Sequence, residues 1–144
     1  MSALSAQRAT GTTRWSVLVD AVRDAGQYTT AAEAEEVVRV VLSALGGLVT
    51  GDERVDLARA LPEEAARLVA SRIPLNRPLT APEFVDTVAG RLEDATPATA
   101  RWHVSSVLSV LPELVGDELV DRVLAQLPSG YALLFGKAEL VPMG

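Results

Sequence analysis

Shifting the sequence by 66 positions lays its second half on its first without a gap. Val19 and Val85, Asp20 and Asp86, Val22 and Val88, Thr30 and Thr96, Ala34 and Ala100, Val38 and Val104, Val41 and Val107, and Leu42 and Leu108 are identical pairs. So are Ser43 and Ser109, Leu45 and Leu111, Leu48 and Leu114, Val49 and Val115, Leu61 and Leu127, Pro62 and Pro128, and Leu68 and Leu134. Most matched residues are apolar or mark turns, so the repeat preserves a packing scheme. A unit of about 60 residues buries too little surface to be comfortable alone, and the two copies are therefore expected to share one core.

Helical spacing dominates both copies. Trp15, Leu18, Val19 and Val22 predict an amphipathic helix that stops at Gly26. Thr30 and Glu33 read as a capping box before Ala34, Val37, Val38, Val41, Leu42 and Leu45, an apolar series ended by Gly46-Gly47. Thr50 and Glu53 read as a second box, opening a helix whose Val55, Leu57, Ala58 and Leu61 turn toward the core. Pro62 closes that helix and opens another, which ends near Ala70 or Ser71.

Ile73 to Pro78 cannot continue a helix and contains the joint between copies. The second half replays the order. Thr80 to Glu83 caps a helix with Phe84, Val85 and Val88, and Thr96-Pro97 opens one with Ala100, Val104, Val107, Leu108 and Leu111. Pro112 takes the place of Gly46, Gly116-Asp117-Glu118 begins the next helix, and Leu127-Pro128 makes the corner before Tyr131, Leu134 and Phe135.

The expected fold is all-α: two tandem four-helix repeats, eight helices in all, packed with pseudo-two-fold symmetry through their long second helices. Its divisions are a disordered lead over 1–12, a first repeat over 13–73, a linker over 74–79, a second repeat over 80–137 and a C-terminal tail over 138–144.

Composition removes several classes of function. The chain has no cysteine, so disulfides, a thiol nucleophile and thiolate metal sites are excluded, and its single histidine, His103, leaves no multi-histidine zinc set. No apolar run approaches the roughly 20 residues needed to cross a bilayer, and no signal-peptide pattern opens the chain, so a cytoplasmic location without membrane contact is expected. Residues 1–78 carry nine Arg against ten acids, and residues 79–144 carry three Arg and one Lys against nine, giving −1 and −5. An acidic second half with one lysine repels phosphate, which disfavours nucleic acid as a partner.

At its corners the chain resembles a known family. Glu53, Asp56, Leu57, Ala58, Leu61 and Pro62 in the first copy are similar to the duplicated signature of the domain of unknown function 2267 family. Gln126-Leu127-Pro128, Tyr131 and Phe135 fit the second copy, while Ala60 departs from the Gln usual in the first. The resemblance spans about residues 14 to 137. It implies a helical, prokaryotic protein and supplies no catalytic residue to carry over.

Each group with chemical potential has a plainer reading. Asp117, Glu118 and Asp121, like Asp52, Glu53 and Asp56, place three carboxylates in one turn. A calcium loop needs about six or more oxygens in a shaped loop, whereas acids at a helix N-terminus are favoured by the dipole alone. His103 replaces Val37 of the first copy beside Trp102, which marks it as a core-edge residue. Ser43 and Ser109 lack a nucleophile elbow, and the glycines of 46–51 lack a phosphate-loop ending.

The reading is a non-enzymatic, cofactor-free and metal-free module for protein interaction or assembly, working through a protein partner or self-association. Asp117, Glu118, Asp121, Tyr131 and Trp102 are its candidate surface, although the scarce aromatics serve a core before they serve a partner. The alternative is a nucleic-acid-associated regulator of helix-turn-helix type, reading through Arg54 and Arg59 and through the copied helix with Arg122. An enzyme ranks last.

Overall fold

The apolar series at positions 34, 37, 38, 41, 42 and 45 is buried throughout and forms the central wall of the fold. It lies on one helix of the computed structural model, which describes residues 3–92 and 95–137. Regular structure among the described residues is entirely helical. It comprises α1 (Ala3–Gly26), α2 (Ala31–Leu45), α3 (Gly51–Ala60), α4 (Glu63–Ala70), α5 (Ala81–Ala89), α6 (Pro97–Leu108), α7 (Leu111–Val115), α8 (Asp117–Gln126) and α9 (Tyr131–Leu134).

Within the halves, α1 packs on α2 and α5 on α6. Across them, α1 meets α6, α2 meets both α5 and α6, and α3 meets α8, so one apolar cluster runs through both halves. Neither half closes its core alone.

The helix starts follow the sequence unevenly. Thr80 with Glu83 makes the full reciprocal box, and Thr96 makes one with Thr99. Thr30 accepts from the Glu33 amide at 3.1 Å, but the Glu33 carboxylate reaches the Thr29 amide rather than that of Thr30. The box expected at Thr50 does not form. There Gln126 does the work instead, accepting from the Thr50 amide at 3.0 Å and donating to the Thr50 carbonyl at 2.8 Å.

Three further expectations are corrected. The helix α1 begins at Ala3, ahead of the Thr13 start and across the lead read as disordered. Ala, Leu, Gln and Arg there are good helix formers, so propensity extends the helix where no apolar periodicity does. Val55 of α3 is exposed, since Leu57 and Leu61 already supply that stretch's core contacts. The long helix expected to reach Leu111 divides into α6 and α7. The cause is Pro112: it has no amide for the Leu108 carbonyl and its ring collides with that oxygen, so α6 ends at Leu108. In the first copy the Gly46 amide makes the corresponding bond to Leu42 O at 3.0 Å. The tail over 138–144 lies outside the described residues.

Gly46 is required at the end of α2 for a reason unrelated to left-handed geometry. Its backbone is right-handed, with φ −60°, but a Cβ there would sit 2.2 Å from the Val69 carbonyl oxygen. Absence of a side chain thus lets the ends of α2 and α4 touch. Arg54 of α3 seals this contact: its guanidinium donates to the carbonyls of Gly46, Val49 (3.2 Å), Val69 (2.9 Å) and Arg72 (2.5 Å). On the outside, Arg39 of α2 pairs with Glu35 and Glu64 and lies over the Trp15 ring, joining α1, α2 and α4.

Gly46→Ala is expected to destabilise the protein by about 2–4 kcal/mol, through overpacking against a backbone atom that cannot yield. Gly47→Ala, whose Cβ would meet nothing closer than 3.4 Å, should change stability far less. Chemical denaturation of the two variants checks the difference. Arg54→Met, which strips donors from four partly buried carbonyls, is expected to cost about 2–4 kcal/mol in the same assay.

Candidate functional site

The candidate residues fall into three places. The first is the junction where the end of α1 meets α6. Gly26 closes α1, and Gln27 takes the left-handed turn at φ 57°, which throws Tyr28 back over the helix end. A Cβ on Gly26 would lie 2.3 Å from the Tyr28 ring, so the glycine provides room for the phenol. Tyr28 Oη is 2.6 Å from His103 Nδ1, and the two rings stack with centroids 5.5 Å apart. Trp102 donates from Nε1 to the Gly26 carbonyl at 3.0 Å, and Ser106 Oγ donates to the Trp102 carbonyl at 2.7 Å.

Burial pushes the Tyr28 phenol up and the His103 imidazole down, with Glu33 nearby opposing the second shift. The pair is neutral on both sides. It fastens one half to the other, a tie that the core-edge reading of His103 did not include. Trp102 keeps 53% of its surface exposed, with its indole nitrogen committed to α1.

The second place is the line between α3 and α8. Arg122 of α8 pairs with Glu53 at 3.2 Å and Asp56 at 3.0 Å, and Gln126 donates to Glu53 at 2.6 Å while holding the Thr50 backbone. Glu53 and Asp56 stand where acids serve their own helix dipole. They also bind the other half. Among the described residues no group of three His, Cys, Asp or Glu is arranged to hold a metal ion.

The third place is a groove of about 900 Å³ between α8 and α9. Leu124, Leu127, Pro128 and Ala132 give it apolar walls, and Asp117 and Asp121 stand at its edge. These carboxylates lie one turn apart and remain 75% and 63% exposed. Lys137 Nζ reaches both, at 3.3 Å from Asp117 and 2.6 Å from Asp121, and the Asp121 carboxylate holds its ammonium more firmly protonated than usual. Gly116, at φ 97°, starts α8 so that both acids fall in its opening turns.

The proposed surface therefore divides. Asp117 and Asp121 come together at the groove, and Glu118 is exposed beside them on α8. Trp102 lies at the α1–α6 junction instead. Tyr131 is removed from the surface set altogether: it is fully buried, donates from Oη to the Leu79 carbonyl at 2.7 Å, and meets the Phe84 ring edge-on at 5.7 Å. Burial raises its phenol well above the ordinary range.

Two roles at the clamps are missed by the sequence reading: Lys137 has no functional reading there, and Arg54 only that of a nucleic-acid reader. A signal for Arg54 exists: the 66-residue shift places it on Val120, a charged residue against a buried apolar one. Lys137 has no such signal, because its partners are set by how the chain leaves α9.

A family model described as an uncharacterized conserved protein, DUF2267, matches residues 15–134. The chain belongs to this family. No curated protein matches it. The DUF2267 span runs from Trp15 through α9, so it contains the α1–α6 junction and the α3–α8 clamp entire. Lys137 follows the matched residues and completes the groove from outside the DUF2267 span.

The junction generates a pH prediction. An imidazole depressed in the folded state binds protons better when unfolded, so its contribution is present above the usual imidazole range and is lost as pH falls through the folded value. Thermal stability is expected to drop as pH falls through and below the ordinary imidazole range near 6.5, and this drop should shrink in His103→Gln. Melting curves of both proteins across that range check it.

Proposed function

We propose that this chain is a cytoplasmic, non-enzymatic module that binds another protein or a second copy of itself. The observation that carries the reading is the α8–α9 groove, open along its side, apolar within and edged by exposed carboxylates. Small-molecule sites enclose most of their ligand and converge a few polar groups on it. An open channel with apolar walls and charge along one edge suits a chain segment.

The titratable groups are occupied elsewhere in ways that support this reading. Tyr28 and His103 satisfy each other, and Glu53 and Asp56 are committed to Arg122 and Gln126. A helix-turn-helix reading is weakened on the same grounds. Its readers would be α3 and α8, which pack on each other, and their Arg54 and Arg122 are bound to carbonyls and carboxylates. A guanidinium so engaged has little left for phosphate.

Native mass spectrometry of the untagged protein from its own cells is expected to show mass beyond one 15.2 kDa chain, as whole chains or as a second polypeptide. A small added mass alone would overturn the reading in favour of a ligand site. A bare monomer at cellular concentration would also count against it.

A further inference from the structure

We infer that the α8–α9 groove takes a short basic segment of a partner protein, whose Lys or Arg side chains replace Lys137 on the Asp117–Asp121 pair. This rests on the interaction reading above and names the chemistry of the partner.

The argument begins with charge. Among the described residues Asp117 and Asp121 share a single cation, Lys137, the only lysine in the sequence. One ammonium against these two carboxylates leaves the rim negative, within a half of the chain that carries −5, while Glu118 acts on Arg122 from the neighbouring face of α8. Lys137 shows what the acid pair accepts: an ammonium that reaches both oxygens while its side chain stays only 22% exposed. Because Asp117 and Asp121 are largely solvated, exchanging one cation for another costs little desolvation, and long-range attraction speeds the approach of a basic segment.

Shape agrees with charge. In the first half α4 is eight residues long, packs along α3, and is pinned at its end by Arg54. In the second half α9 has four residues and packs on α6, while Val120, buried in the core, stands in the position that corresponds to Arg54. The outer face of α8 is thus left beside an open channel of about 900 Å³. Leu124, Leu127, Pro128 and Ala132 offer that segment apolar contacts between its cations.

Other occupants fit less well. Nucleic acid would bring phosphate to a carboxylate rim. Residues 138–144 of the chain itself carry one ionisable side chain, Glu139, whose sign is wrong for the rim.

The test uses the full chain and a fluorescein-labelled amphipathic peptide of about fourteen residues, with Lys four positions apart and Leu between, against its Glu-for-Lys counterpart. The Lys peptide is expected to bind and to shift backbone amide resonances of 117–132, and the Glu peptide to do neither. D117N/D121N should weaken the Lys peptide about tenfold, and Lys137→Ala should tighten it about threefold, by freeing the acids. Circular dichroism melts of each variant confirm that the fold persists. Shifts mapping elsewhere, or affinity indifferent to D117N/D121N, overturn the inference. L140D/M143D in the full chain is expected to leave peptide affinity unchanged; a tenfold gain would identify the chain's own C-terminal segment as the occupant and equally overturn it. A natural partner that survives D117N/D121N sinks this inference and spares the interaction reading, whereas a wild-type chain with no macromolecular partner sinks both.

Discussion

The Arg54 guanidinium stands where the ends of two helices meet, and the first half is organised around it. Helix C-termini present carbonyls without intrahelical donors and a partial negative charge. An arginine has five donors in a fixed fork and no acceptor. Placed between the end of α2 and the end of α4, it serves carbonyls of both, along with the loop that joins α2 to α3. Its charge is met by oriented dipoles rather than by a carboxylate. The close approach at Gly46 and Val69 makes this possible, because four carbonyls converge only if the backbones touch. Position 46, position 54 and the length of α4 are therefore one device.

The second half solves the same problem without a charge. Pro112 ends α6 early, and the chain makes the short α7, whose Leu111 is buried and which packs on α8, α6 and α3. With the helix end moved, Val120 occupies the place in the core that corresponds to Arg54. The two halves thus share an apolar plan and differ in how their helix ends are satisfied. That difference leaves α9 short and the groove open.

What was legible in the sequence follows from the same division. Apolar residues at helical spacing announce which face is buried, and the shift of 66 doubles the signal, so α2, α4, α5 and α8 lie where the spacing puts them. The all-helical class and the core follow. Side-chain ends are another matter: a Thr-x-x-Glu pattern makes a box at Thr80 but not at Thr50, because a glutamine 76 residues away competes for the same backbone. Nothing local to Thr50 encodes Gln126. Tyr131 was assignable to core or surface from its sequence, and only the carbonyl of Leu79 decides it. The groove was half legible, since the acids of α8 are evident while the cation between them arrives from beyond α9.

The ties between halves also involve residues that the repeat does not conserve between its copies. Arg122 corresponds to Asp56, Gln126 to Ala60, Glu53 to Leu119, and His103 to Val37. Two first halves assembled in the same way would set Asp56 against Glu53 and another Asp56, carboxylate facing carboxylate. Two second halves would set Arg122 against Leu119 and another Arg122. Like charges opposed at an interface disfavour the wrong pairing, as good contacts favour the right one. Each half thereby presents the other with a complement that it cannot present to itself.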